Sequence, residues 1–217
     1  LQDKVFRDGR VIVWGPGSGI SDGTRLGADL AQRLTGFRFR MEPINSPRRI
    51  ALTNLTHPIT RDVPPDTILG SQLAYGPLLF PQDGVDLGMA WTNWQFNEVG
   101  LAVKTYGRGA ALDIPAGQTA GPGDYAALFS VAVPLPASLW RGIARYAGAH
   151  VYCDENEVVL ADSSIVALQS MKPGPKRLQL PGRYTVYDVI DDVELAFDTD
   201  VINFCMDEPG TRVFRLA

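Results

Sequence analysis

Arg10-Val11-Ile12-Val13-Trp14-Gly15-Pro16-Gly17-Ser18-Gly19, followed by Ser21-Asp22-Gly23-Thr24 and closed by Leu34-Thr35-Gly36, is the stretch whose reading decides the fold. Val11 to Trp14 is an apolar, β-rich run of the kind that a strand buried on both faces requires. The glycines after it tolerate unusual backbone angles, and Ser21, Asp22 and Thr24 bring cap-forming side chains. From Thr24 to Leu34 the apolar residues Leu26, Leu30, Ala31 and Leu34 recur at helical spacing, and Gly36 stands where a helix stops. Strand, turn and helix in this order predict an α/β domain.

A strand that feeds a helix through glycines invites a phosphate-binding reading, because helix N-terminal amides attract anions. The spacing refuses it. A dinucleotide fingerprint begun at Gly15 and Gly17 meets Ile20 where its third glycine belongs, and no Gly-Lys-Ser/Thr ending makes a P-loop. Gly17-Ser18-Gly19 has the wrong spacing for a nucleophile elbow. The turn is therefore read as structural, with no cofactor and no metal assigned to it.

The 217 residues are 45% hydrophobic and carry a net charge of −4. That length holds one large or two small domains with a real core. No apolar run approaches the roughly 20 residues that span a bilayer, and Leu1-Gln2-Asp3-Lys4 is not a signal peptide, so no membrane role is expected. Lys and Arg number 14 against 12 Asp and Glu through Ala147, then 6 against 12 from Gly148 onward. Neither part has a basic stripe with interleaved aromatics, which argues against nucleic acid. Cys153 and Cys205 are either a disulfide or two buried thiols, and two cysteines leave the compartment, cytoplasmic or secreted, undecided.

Pro134-Leu135-Pro136 introduces a second helix from Ala137 to Ala147, with Leu139, Trp140, Ile143 and Ala144 on one face. Beyond Gly148 the pattern changes. Short β candidates, among them Val158 to Ala161, Ile165 to Gln169, Arg177 to Leu180, Tyr184 to Tyr187, Val193 to Phe197 and Val201 to Cys205, alternate with turn clusters such as Pro181-Gly182 and Glu208-Pro209-Gly210. This predicts a small antiparallel sandwich or barrel. The expected domains are 1–148, α/β and lacking elements before its first strand, and 149–217, all-β.

Arg10 to Gly17, Leu34-Thr35-Gly36, Leu139 to Gly148 followed by His150-Val151-Tyr152, Leu180 to Val189 and Gly210-Thr211-Arg212-Val213-Phe214 occur in that order. Together they resemble the C-terminal part of β-galactosidase-like glycoside hydrolases, near glycoside hydrolase family 42. The resemblance implies a class I amidotransferase-like, flavodoxin-like sheet and then a small β-sandwich, both placed after a TIM-barrel catalytic domain. It implies that catalysis belongs to that barrel and that this region braces it or makes subunit contacts in a homo-oligomer. The amidotransferase likeness carries over as a fold alone, since a Cys nucleophile at a strand-to-helix elbow is missing.

Trp91, Asn93 and Trp94, with Phe96 beside them, are the candidate carbohydrate contacts. Aromatic faces stack on sugar rings and amides bond hydroxyls, although packing explains the same residues. Asn97-Glu98 and Asn156-Glu157 imitate the Asn-Glu dipeptide that carries the acid/base in such barrels; without the barrel neither is assigned a catalytic role. His57 and His150 lack metal spacing, Asp191, Asp192 and Glu194 lack the glycine and alternating ligands of a calcium loop, and Arg48-Arg49 reads as an exposed loop pair. The expected role is thus a non-catalytic accessory region, with a stand-alone carbohydrate-binding or protein-interaction module as the alternative.

Overall fold

Val11 to Trp14 do form a strand, β1 (Arg10–Trp14), and Gly36 does end a helix, α1 (Ala28–Thr35), but the sheet around them is not the expected one. The computed structural model describes residues 3–92 and 95–217, and the chain divides into two units, Leu1–Ala149 and His150–Ala217. After α1 the first unit continues through β2 (Phe39–Glu42), β3 (Ser46–Leu52), β4 (Ile68–Tyr75), β5 (Leu78–Pro81), β6 (Val85–Thr92), β7 (Gln95–Tyr106) and β8 (Tyr125–Ser130) to a second helix, α2 (Ala137–Tyr146). Six strands form one sheet in the order β1-β8-β7-β6-β3-β4, and β2 pairs with β5 in a separate ribbon.

The α/β, flavodoxin-like and amidotransferase-like expectation is corrected by this pairing. Among the described residues strand makes up 49% and helix 10%. A flavodoxin-like sheet needs each strand returned beside its neighbour through a helix, whereas the chain leaving α1 returns as β2, which pairs with β5 and not with β1. Among the described residues β1 with β8, from Arg10↔Tyr125 to Trp14↔Phe129, is the one parallel pair; the other ladders are antiparallel. A single strand–turn–helix unit therefore sits at the edge of a mostly antiparallel sheet.

The local signals near α1 are also redistributed. Asp22 does not cap the helix. Its Oδ1 accepts the Thr24 and Arg25 amides at 2.9 and 3.0 Å and the Thr24 hydroxyl at 2.7 Å, closing a turn of its own. The helix starts later, and Leu26 stays outside it at 53% exposure while Leu30 and Ala31 are buried. Gly36 takes φ +79°, its amide donates to the Gln32 carbonyl at 2.8 Å, and a side chain there would meet the Tyr106 hydroxyl. That hydroxyl is buried, and burial pushes its pKa up to about 12. The core beneath the sheet includes Phe37, Leu101, Leu128 and Phe129, with the Phe39 and Phe129 rings 4.6 Å apart.

The second unit is built from β9 (Val158–Ala161), β10 (Ile165–Ser170), β11 (Gly174–Asp188), β12 (Val193–Met206) and β13 (Gly210–Leu216). They form one antiparallel sheet in the order β12-β11-β13-β10-β9, so the expected sandwich, which needs two sheets, is also corrected. Pro181-Gly182, expected as a turn, lies inside β11. The β11–β12 ladder shifts register between Gln179 and Tyr184, so Pro and Gly bend one long strand instead of separating two. Val166, Leu168, Leu178, Val186 and Phe214 form the core. Among the described residues no helix is long and apolar enough to cross a membrane.

Candidate functional site

Trp91 stands near the end of β6, directly across from Phe96 of β7, and the two rings meet edge to face at 4.9 Å. The Ser46 hydroxyl donates to the Trp91 carbonyl at 3.3 Å, and the Thr92 hydroxyl donates to Asn97 Oδ1. Trp91 is half-buried, so this rung of the hairpin presents part of an indole and not a free platform. Asn93 and Trp94 lie outside the described residues.

The two Asn-Glu dipeptides belong to different units, and each glutamate is held by a cation. Glu98 Oε1 lies 2.6 Å from the Arg40 guanidinium, which also reaches Glu42 and sits 5.6 Å from the Phe80 ring centre. Glu157 Oε1 accepts from Lys176 Nζ at 2.6 Å and from the Ser170 hydroxyl at 2.9 Å. The Lys176 bond holds the Glu157 carboxyl below its usual range. A general acid for glycoside cleavage needs the opposite shift, toward neutrality.

The histidines are committed to backbone. His57 Nδ1 accepts the Ile59 amide at 3.2 Å, its ring lies 5.3 Å from that of Tyr146, and burial lowers its pKa. The Tyr146 hydroxyl donates to Asp113 Oδ2 at 2.5 Å, which ties α2 to the turn at Ala111–Asp113. His150 Nε2 faces the Gln179 carbonyl at 2.8 Å. Both cysteines are free thiols. Cys153 is half-buried, with its pKa raised by burial, and Cys205 is exposed, so neither expected state of the pair is found. Asp191 is paired with Arg212 at 2.9 Å.

Arg48 departs most from the sequence reading. It lies on β3 at 5% exposure, its guanidinium stacks 3.4 Å from the Tyr75 ring centre, and its Nε donates to the Tyr75 carbonyl at 3.3 Å. Burial lowers its pKa.

Sequence reading missed a recess with an aromatic wall. Because β1 and β8 run parallel, their carboxyl ends emerge on the same side of the sheet. Val13, Trp14 and Gly15 from the end of β1, with Ser130 from the end of β8, meet Val133-Pro134-Leu135 of the following loop and Trp140 of α2 around a cavity of about 340 Å³. No charged side chain lines it. The Ser130 hydroxyl is already engaged, donating to the Ala132 carbonyl at 2.8 Å and accepting its amide at 3.2 Å. Trp140 is 47% exposed and Val133 41%, whereas Leu139 and Ile143, expected on the same helix face as Trp140, are buried. The signal was present: Leu139, Ile143 and Tyr146 fall on one stripe, and Trp140 lies a residue off it, next to Arg141. The arrangement can hold a neutral ring, but it offers no titratable side chain for proton transfer.

The architecture is one found within β-galactosidases. Over 95% of its length the chain superposes on part of the cold-adapted β-galactosidase of Rahnella sp. R3 with a TM-score of 0.50 and 13% identity. It superposes equally far on the β-galactosidase of Bacillus circulans sp. alkalophilus, with a TM-score of 0.52 and 10% identity. At these identities the likeness is one of fold. The chain spans 29% of each of those proteins. No protein-family model matches the sequence, and no curated protein matches it.

Proposed function

We propose that this chain is a non-catalytic accessory region of a β-galactosidase-like glycoside hydrolase, which braces a TIM-barrel catalytic domain and contributes to subunit contacts in a homo-oligomer. The observation that carries this reading is the span of the structural likeness, nearly all of this chain against less than a third of two β-galactosidases. The chemistry agrees. Glu98 and Glu157 are tied to Arg40 and Lys176, and both histidines are tied to backbone, so the groups that glycoside cleavage would use are occupied in holding the fold.

Deleting residues 150–217 from the full polypeptide is the test. The reading expects the deletion to dissociate the oligomer in analytical ultracentrifugation and to lower galactosidase activity through loss of folded barrel, with KM unchanged in the fraction that stays folded. Unchanged assembly and unchanged activity would overturn it. A stand-alone binding module remains the second reading, and the aromatic-walled cavity is the observation that favours it.

A further inference from the structure

A cavity opens between Trp14 and Trp140. We propose that it is a binding site for a single neutral pyranose ring, seated on the half-exposed indole of Trp140. Three properties of the lining select this chemistry. The first is neutrality: no Asp, Glu, Lys, Arg or His lines the cavity, so a phosphate or carboxylate drawn into it would lose its water without gaining an opposite charge.

The second is size. About 340 Å³ lies at the low end of the roughly 300–1,000 Å³ of ordinary ligand pockets and takes one ring, not an extended chain. Gly15 is part of the lining, and a side chain built there would have no neighbour within 4 Å. The third is the asymmetry of the walls. Val133, Pro134 and Trp140 are open to solvent while the half-buried Trp14 and Leu135 form the inner side. A pyranose has an apolar C–H face and a hydroxyl rim, so the face covers indole and the rim stays in water. A wholly apolar ligand would remain half exposed. The choice of a sugar among neutral rings rests on the glycoside hydrolase-like reading above; the neutrality, size and open side do not.

The test is a calorimetric titration of the purified chain with methyl β-galactopyranoside, followed in parallel by tryptophan fluorescence, with benzyl alcohol as the comparison ligand. The expected Kd is on the order of millimolar, as befits one ring on an open surface. Trp140→Ala should weaken binding at least tenfold, and Trp140→Phe should restore part of it. Gly15→Leu, which adds a side chain to the lining at a residue with ordinary φ, should also weaken binding at least tenfold while leaving the melting temperature unchanged. Failure of the sugar to bind, equal affinity in the Trp140→Ala and Gly15→Leu variants, or tighter binding of benzyl alcohol would each overturn the proposal. The accessory reading is untouched by these outcomes, because it stands or falls on assembly and turnover.

Discussion

The two units reach stability by different routes. The first buries a broad apolar core in which Phe37, Ile50, Leu69, Phe80, Leu101 and Phe129 are each at most 1% exposed, beneath a six-stranded sheet. The second has nine core residues on one five-stranded sheet and leans on ionic contacts inside it. Asp188, wholly buried, accepts the Ile190 and Asp191 amides at 2.8 and 3.1 Å and faces Arg212 at 3.1 Å, while Lys176 and Glu157 face each other with side chains 5% and 9% exposed. A unit with few apolar residues to bury sits closer to its unfolding threshold. The comparison teaches that the neutral cavity belongs to the robust unit and the acid-rich surface to the fragile one.

The sharpest way to break that contrast is Phe214→Ala. Phe214 is fully buried and packs 5.0 Å from Phe204, so its loss should destabilise the second unit by about 3–5 kcal/mol and melt it separately. Two resolved transitions in calorimetry, with the upper one unmoved, are expected; a single shifted transition would dissolve the distinction. Trp91→Ala should cost the first unit about 1–3 kcal/mol through the lost contact with Phe96 while leaving the affinity for methyl β-galactopyranoside unchanged. Lost affinity would move the sugar site to the β6–β7 hairpin.

Tyr146→Phe should lower the first unit's stability by about 1 kcal/mol, because the Asp113 carboxylate loses its phenol donor but keeps the Ala110 amide and solvent. Acid provides the smallest and most graded test. Bonds from the Arg108 guanidinium, and from the Arg108 and Gly121 amides, lower the Asp124 pKa to about 2. A depressed carboxylate contributes stability that is fully present above its ordinary value of 3.8 and is lost as pH falls through about 2. Glu157 has a shift of the same sign in the second unit. Acid titration followed by circular dichroism should therefore show stability flat above pH 4 and falling below it in the wild type, with a shallower fall in Asp124→Asn.

Much of the local structure was legible, because it depends on neighbours in sequence. Val158–Ala161 reads as a strand and forms one, and Pro136 followed by Leu139 and Ile143 marks α2. What pairs with what was not legible. Val11 to Trp14 look the same whether the neighbouring strand is parallel or antiparallel, so one strand–turn–helix unit suggested a whole α/β sheet that the chain does not build. Pro181-Gly182 carries the same signal for a turn and for a bend within β11, and the ladder to β12 decides between them. The sites fared similarly. Trp140 was visible as an aromatic on an amphipathic helix, but its exposure depends on where β1 and β8 end, which lies more than a hundred residues away along the chain for β1. Arg48 reads as solvated because arginine usually is; Tyr75 and the carbonyl it offers make burial tolerable.

Turnover by the purified 217-residue chain tests the central claim most directly. Incubated with 4-nitrophenyl β-galactopyranoside across pH 4 to 8, it is expected to release nitrophenol no faster than buffer, with Glu98→Gln and Glu157→Gln indistinguishable from the wild type. Release above background that either substitution abolishes would show that these carboxylates do chemistry and that the region is an enzyme in its own right.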